Sequence, residues 1–276
     1  WDFVIKPVKG WINIDIKEII QYRDLIILFV KRDFVIFYKQ TILGPLWYVI
    51  QPLFSSLVFT LIFGKVAKIP TDGVPPFIFY LSGTVVWSYF SSCLNQTGKT
   101  FLSNAQIFGK VYFPRITVPI SISITAVFQF IIQFTIFLGF LIYYWNLGFD
   151  IKLNIYVLTL PFIVLHMAIL SVGMGLIISA ITTKYRDLNF AMGFLIQLWM
   201  YMTPIVYPLS EVPEKYKIFI VINPMTAVVE SFRSIFLGTD FISVTSLLIS
   251  ITITMVVFLL GIIVFNRNEK TFMDTI

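Results

Sequence analysis

Six long stretches of this chain carry no Asp, Glu, Lys or Arg: 40–64, 73–98, 116–149, 153–183, 188–210 and 241–266. Each exceeds the roughly 20 residues that a helix needs to cross a bilayer. Residues are 58% hydrophobic and only 12% charged, against about 25% charged in a soluble domain. The reading is an all-α integral membrane protein with six transmembrane helices. A membrane β-barrel would show segments of about ten residues with alternating polarity; these runs are apolar throughout, which excludes it.

Lys and Arg orient the chain. With the N-terminus placed in the cytoplasm, fourteen of the twenty basic residues fall on the inner side and six on the outer, the positive-inside bias. Both termini are therefore expected to be cytoplasmic. The net charge of +6 then reflects topology and contact with anionic lipid, and implies no nucleic acid. Residues 1–30 hold no short apolar core with a small-residue cleavage site, so the first span is expected to serve as the targeting signal. The single Cys93 excludes an internal disulfide and a multi-cysteine metal site. It reads as a small packing residue in the second span.

The chain reads as one membrane domain, 1–276: a cytoplasmic amphipathic segment at 1–45, a six-helix core at 46–266 and a cytoplasmic tail at 267–276. Residues 13–43 repeat polar groups at 17/18, 21, 24, 31/32 and 39, about every two turns, which predicts a helix lying in the cytoplasmic interface. Gly44-Pro45 breaks it. Pro52 removes one backbone hydrogen bond from the first span, predicting a local kink. After the second span, the cytoplasmic loop predicts a short helix at 100–108 ended by Gly109. The third span carries Ser121, Ser123, Thr125, Gln129 and Gln133, and the fourth contains "SVGMGLIISA", whose small side chains allow close helix approach. No internal repeat is found, which argues against an inverted-repeat carrier.

The segment "YPLSEVPEKYKIFIVINPMTAVVESFR", Tyr207 to Arg233, neither spans nor dissolves. Its apolar pieces, Ile218–Ile222 and Met225–Leu237, are too short to cross and are separated by Asn223-Pro224. A seventh crossing would also put the C-terminal tail outside, against the charge distribution. Glu230 and Arg233, three apart, are expected to pair on one helix face.

Chemistry is sparse. Gly98-Lys99-Thr100 resembles the end of a phosphate-binding loop, but Cys93 stands where that pattern needs a Gly. Any ATP and Mg therefore belong to a separate subunit. His166, without an acidic partner in its span, reads as a packed, hydrogen-bonded residue. An ion-coupled carrier needs charges at mid-depth, and a membrane glycosyl or acyl transferase needs paired acids or a metal cluster. The spans supply neither, so the chain is read as no enzyme and as holding no metal. Aromatic residues make up 17% of the chain, many of them inside spans: Trp47, Tyr48 and Phe54; Tyr80, Trp87 and Tyr89; Trp199 and Tyr201. Their flat faces stack on the C–H faces of sugars, and they are expected to line a substrate channel.

The stretches "KQTILGPLWYVIQPLFSSLVFTLIFG", "KVYFPRITVPI", "KYRDLNFAMGFLIQLWMYMTPIVYPLSEVPEKY" and "INPMTAVVESFRSIFLG" resemble the membrane subunit of ABC type-2 polysaccharide exporters, the Wzm-like O-antigen permeases, with capsule and teichoic-acid permeases as relatives. The likeness covers nearly all of residues 20–266 and rests on LGPLW, TPIVYP and NPM together. It implies a homodimer in the bacterial inner (plasma) membrane, bound to two copies of a cytoplasmic nucleotide-binding ATPase and exporting a lipid-linked glycan. It implies two short re-entrant helices on the external side, between the fifth and sixth spans, around Asn223, Pro224, Glu230 and Arg233. The 99–115 loop would be the ATPase coupling element, with Thr100, Phe101, Asn104, Phe108, Lys110 and Arg115. Lys31, Arg32 and Lys39 at the cytoplasmic edge would recruit the lipid pyrophosphate.

Overall fold

The computed structural model describes residues 16–39, 44, 46–149, 155–185 and 187–272. Expectations for residues 1–15, for Pro45 and for the last four residues lie outside this set. Every regular element among the described residues is a helix.

The predicted N-terminal helix is present as α1 (Ile16–Gln21) and α2 (Arg23–Lys39), separated at Tyr22. Ile26 and Phe29 of α2 are buried, whereas Ile27, Leu28, Val35 and Ile36 are exposed. One face thus packs on the domain while an apolar face remains outside, as an amphipathic helix at a lipid surface requires. α3 (Leu46–Phe59) runs through Pro52 and then loosens into a π-helix over Thr60–Val66. The Ser56 hydroxyl donates to the Pro52 carbonyl at 2.7 Å.

α4 (Pro76–Gly98) begins with Pro76 at its first position, where the missing N–H and fixed φ are harmless. It is the central helix, packed against α3, α6 (Thr117–Asn146), α7 (Leu160–Lys184), α8 (Leu188–Tyr201) and α10 (Pro224–Leu237). α5 (Thr100–Phe108) follows at once and ends at Gly109, as the sequence predicts. α7, entered through a 3-10 turn at Ile155–Thr159, lies between α4 and α11 (Val244–Phe272). α9 (Glu214–Ile222) and α10 meet at Asn223 with a bend of 97°.

Among the described residues, five helices are long and apolar enough to cross a membrane: Leu46–Val66, Pro76–Gly98, Thr117–Asn146, Ile155–Lys184 and Val244–Asn268. The uncharged run at 188–210 behaves differently from the expectation. Its helix α8 has 14 residues, about 21 Å at 1.5 Å per residue, short of a roughly 30 Å hydrocarbon core. The run continues through Met202–Pro208 as turns. Pro204 and Pro208 break the helical pattern there, although composition stays uniformly apolar across them.

Candidate functional site

A cleft of about 770 Å³ opens between α3, α4, α6 and α8, with Asp33 of α2 at its edge. α3 contributes Trp47, Tyr48, Gln51 and Ser55, and α8 contributes Gly193, Ile196 and Gln197. α4 presents a polar stripe of Thr84, Ser88, Ser91, Ser92 and Asn95, with Trp87 beside it. Thr84, Ser88, Ser91 and Asn95 recur every three or four residues, so they share one helix face. α6 completes the wall with Thr125 and Gln129.

Several of these groups are held in place. Ser88 Oγ accepts from Gln129 Nε2 at 3.3 Å and from Gln133 Nε2 at 3.0 Å, which fixes α6 against α4. Ser56 and Thr84 hydroxyls meet at 2.8 Å between α3 and α4, and Gln96 Nε2 donates to Ser92 Oγ at 3.0 Å. Among the described residues of the lining, Asp33 is the one that carries a charge, and Arg32 Nη2 sits 2.8 Å from its Oδ1. The surface therefore offers neutral donors, neutral acceptors and aromatic faces, with the single carboxylate already compensated. Such a wall can hydrogen-bond hydroxyl groups and stack on C–H faces without holding an ion.

The eight aromatic residues expected in a channel divide. Trp47, Tyr48 and Trp87 meet at this cleft. Trp199 stands behind it, its ring 5.0 Å from Phe90 and 6.4 Å from Trp87. Tyr80 and Tyr89 are wholly enclosed and present no surface to a channel in this subunit: they face the seams between α4 and its neighbours, Tyr89 stacking edge-on against Phe130 of α6. Phe54 and Tyr201 are exposed on the outer surface, away from the cleft. The serines and amides of α4 and α6 were not among the expected site residues. Their signal was the spacing 84, 88, 91, 95, which puts four polar side chains on one helix face.

The basic residues expected to take a pyrophosphate also divide. Lys31 and Lys39 are exposed on α2, but Arg32 is held by Asp33, its guanidinium 4.8 Å from the Phe29 ring.

The six residues expected to couple to an ATPase also divide. Thr100, Phe101, Asn104 and Phe108 are buried, because this face of α5 seals the base of the helices above it. Phe101 stacks on Phe265 at 4.6 Å and 24°, and its backbone N–H donates to Ser179 Oγ at 3.3 Å. Arg115 is half-buried, its guanidinium 5.4 Å from the Phe108 ring. Ser103 and Gln106 of α5 are exposed, as are Lys110, Val111 and Tyr112 in the turn that follows it. Gly98-Lys99-Thr100 joins two helices with no strand before it, so it is no phosphate loop.

Asn223 binds the bent α9–α10 pair to the end of α8. Its Oδ1 accepts from the Met225 backbone N–H at 3.1 Å, capping α10, and from Trp199 Nε1 at 3.0 Å. Its Nδ2 donates to Thr203 Oγ1 at 2.9 Å. Pro224 takes the first helical position. Glu230 and Arg233 pair as expected, Nη1 to Oε1 at 3.2 Å, but inside the domain. His166 accepts or donates at Nε2 with Thr254 at 2.8 Å and Ser250 at 3.2 Å, a packed contact between α7 and α11. It borders a second, apolar hollow of about 740 Å³ between α7, α10 and α11.

A family model described as ABC-2 type transporter matches residues 24–237. The chain is 29% identical over 252 residues to an O-antigen export system permease protein RfbA of Klebsiella pneumoniae, covering 91% of this chain and 94% of that one. It is 27% identical over 224 residues to a protein of the same name from Myxococcus xanthus, with 80% and 83% covered. Polysialic acid transport protein KpsM of Escherichia coli is 25% identical over 236 residues, with 84% and 89% covered. The family match runs from α2 to the end of α10 and takes in every helix that lines the polar cleft: the chain belongs to the ABC-2 type transporter family.

Proposed function

We propose that this protein is the membrane permease of an ATP-driven exporter that moves a lipid-linked polysaccharide, of the O-antigen type, across the bacterial inner membrane. The observation that carries this reading is the cleft: hydroxyls, amides and three aromatic rings with no uncompensated charge among its described lining residues, in a chain similar to O-antigen export permeases. A polymer of sugars slides along such a wall by exchanging one weak hydrogen bond for another, and no ionic contact traps it.

In this reading two copies of the chain face each other and two copies of a cytoplasmic ATPase, holding ATP and Mg, dock from below on the outward face of α5. α8 with the Met202–Pro208 turns completes the fifth of six crossings, and both termini lie in the cytoplasm. α9 and α10 form the external re-entrant hairpin, and α2 lies in the cytoplasmic interface. Lys31 and Lys39 are the cations that remain available at that edge for the pyrophosphate of the lipid anchor; Arg32 instead fixes Asp33. Closure of the ATPases pushes through α5 and α2 and opens the path between protomers.

The test uses cells lacking their own permease, supplied with this chain and its ATPase. Trp47→Ala, which removes an exposed aromatic wall, and Ser91→Trp, which fills the cleft, are expected to lower surface polysaccharide at least tenfold while permease level and ATPase co-purification stay constant. Phe54→Ala, outside the cleft, is expected to export normally. Normal export by both cleft variants would sink the assignment of the cleft as the path.

A further inference from the structure

We infer that the glycan handled here is neutral: a polymer of sugars without carboxylate, sulfate or phosphate groups along its length. The inference rests on the export reading above and narrows its substrate class. Among the described side chains that line the cleft, none is Lys, Arg or His, and the one acid is Asp33. Arg32, the cation closest to it in the structure, is committed to that carboxylate at 2.8 Å and is not itself part of the lining. The net charge offered to a passing polymer is therefore close to zero, with any residual field repelling anions.

Pores that carry anions place Lys or Arg along the path to replace the water that the ion sheds. A sugar acid entering this cleft would lose hydration to Ser, Thr, Asn and Gln alone, and ionised groups leave water readily only where a counter-charge receives them. A neutral hexose has no such requirement. Its hydroxyls match Ser88, Ser91, Gln129 and their neighbours as donors and acceptors, and its C–H faces match Trp47, Tyr48 and Trp87.

Three further cations lie off the described lining. Lys31 and Lys39 lie on the exposed side of α2, suited to a headgroup at the membrane edge. Arg233, the buried cation of the domain, is bound to Glu230 and to the carbonyls of Pro204 and Ile205.

The experiment expresses the full chain with its ATPase in cells devoid of other exporters. Two glycans are supplied on the same polyprenyl pyrophosphate anchor, one of neutral hexoses and one carrying a uronic acid in every repeat. Surface glycan is read with glycan-specific lectins or antibodies, and the cytoplasmic pool is measured in parallel. The neutral polymer is expected at the surface in at least tenfold excess over the acidic one. Ser91→Lys, which puts a cation in the lining, is expected to move that ratio several-fold toward the acidic polymer. Equal export of both polymers by the unaltered protein, or a ratio indifferent to Ser91→Lys, overturns the inference and leaves the export reading standing. If neither polymer reaches the surface although the permease–ATPase complex is intact and hydrolyses ATP, the export reading itself falls, and the inference with it.

Discussion

Arg233 is the largest side chain that the domain encloses completely, and its contacts show why a guanidinium is needed. Nη1 and Nη2 fork onto the carbonyls of Pro204 and Ile205, Nε donates to Ser82 at 3.3 Å, Glu230 balances the charge, and the Phe79 ring lies 3.7 Å from the guanidinium carbon. One residue of α10 thereby pins the turn after α8 and the start of α4. A lysine supplies a point charge and cannot fork in this way. Arg233→Met leaves Glu230 buried beside two carbonyls that have lost their donor, and breaking a buried pair costs about 3–5 kcal/mol. Thermal unfolding in detergent should show the largest loss for Arg233→Met, a smaller one for Arg233→Lys, and partial recovery when Glu230→Gln is added to Arg233→Met. If the double variant is no more stable than the single, uncompensated charge is not the cause. The sequence made the pairing legible, because 230 and 233 are three apart on a helix. Its burial was not legible, since the carbonyls that receive Arg233 come from a turn about thirty positions away.

At the scale of the helices, α7 is where packing is tightest. A Cβ on Gly173 would lie 2.7 Å from Phe258 Cα of α11, and one on Gly175 would lie 2.5 Å from Thr97 Cβ of α4, distances that real side chains cannot hold. The two glycines point to two different neighbours, and His166 adds a polar link to α11 on the same helix. Without a hydrophobic driving force between helices in lipid, such close approach supplies the dispersion contacts that hold them together. Gly173→Leu is therefore expected to push α11 away and destabilise the domain by about 1–3 kcal/mol or more, seen as lost monodisperse yield and a lower Tm. Gly139→Leu on α6, where a Cβ meets nothing within 4 Å, should leave both unchanged. Equal behaviour of the two variants would contradict this packing account. The string "SVGMGLIISA" announced close approach to a neighbour; that there are two neighbours is a property of the bundle. The polar stripe on α4 was equally present in the sequence, but an isolated Ser or Thr in a span also satisfies itself on its own backbone, as Ser82 does on Phe79, so composition alone does not separate a cleft wall from a packed helix.

For the whole molecule, the proposed export reading puts the ATPase on the outward side of α5 and the turn after it. Gln106 is exposed on α5, whereas Phe101 and Phe108 are buried, and Val111 and Tyr112, in the turn after the helix, are 59% and 54% exposed. Val111→Asp and Gln106→Ala are expected to weaken co-purification of the ATPase about tenfold with the permease still monodisperse, whereas Phe101→Ala is expected to reduce folded yield first. Retained ATPase binding in both surface variants would move the docking site elsewhere. The resemblance points to the 99–115 element as a whole and is blind to its faces, because both sides of this short helix contain apolar residues. What the sequence determined by itself was the solvent: long uncharged runs and short pieces around Asn223 follow from the thickness of a bilayer and the need to satisfy every backbone group within a helix. The family was legible in LGPLW, TPIVYP and NPM. Tertiary structure alone decided that 188–210 is a short helix and a turn, that Tyr80 and Tyr89 are core while Trp47, Tyr48 and Trp87 share a cleft, and that Arg233 lies inside. Each of these depends on which face of one helix meets another, and in a chain apolar on nearly every face the hydrophobic pattern, which betrays that choice in a soluble protein, carries almost no information.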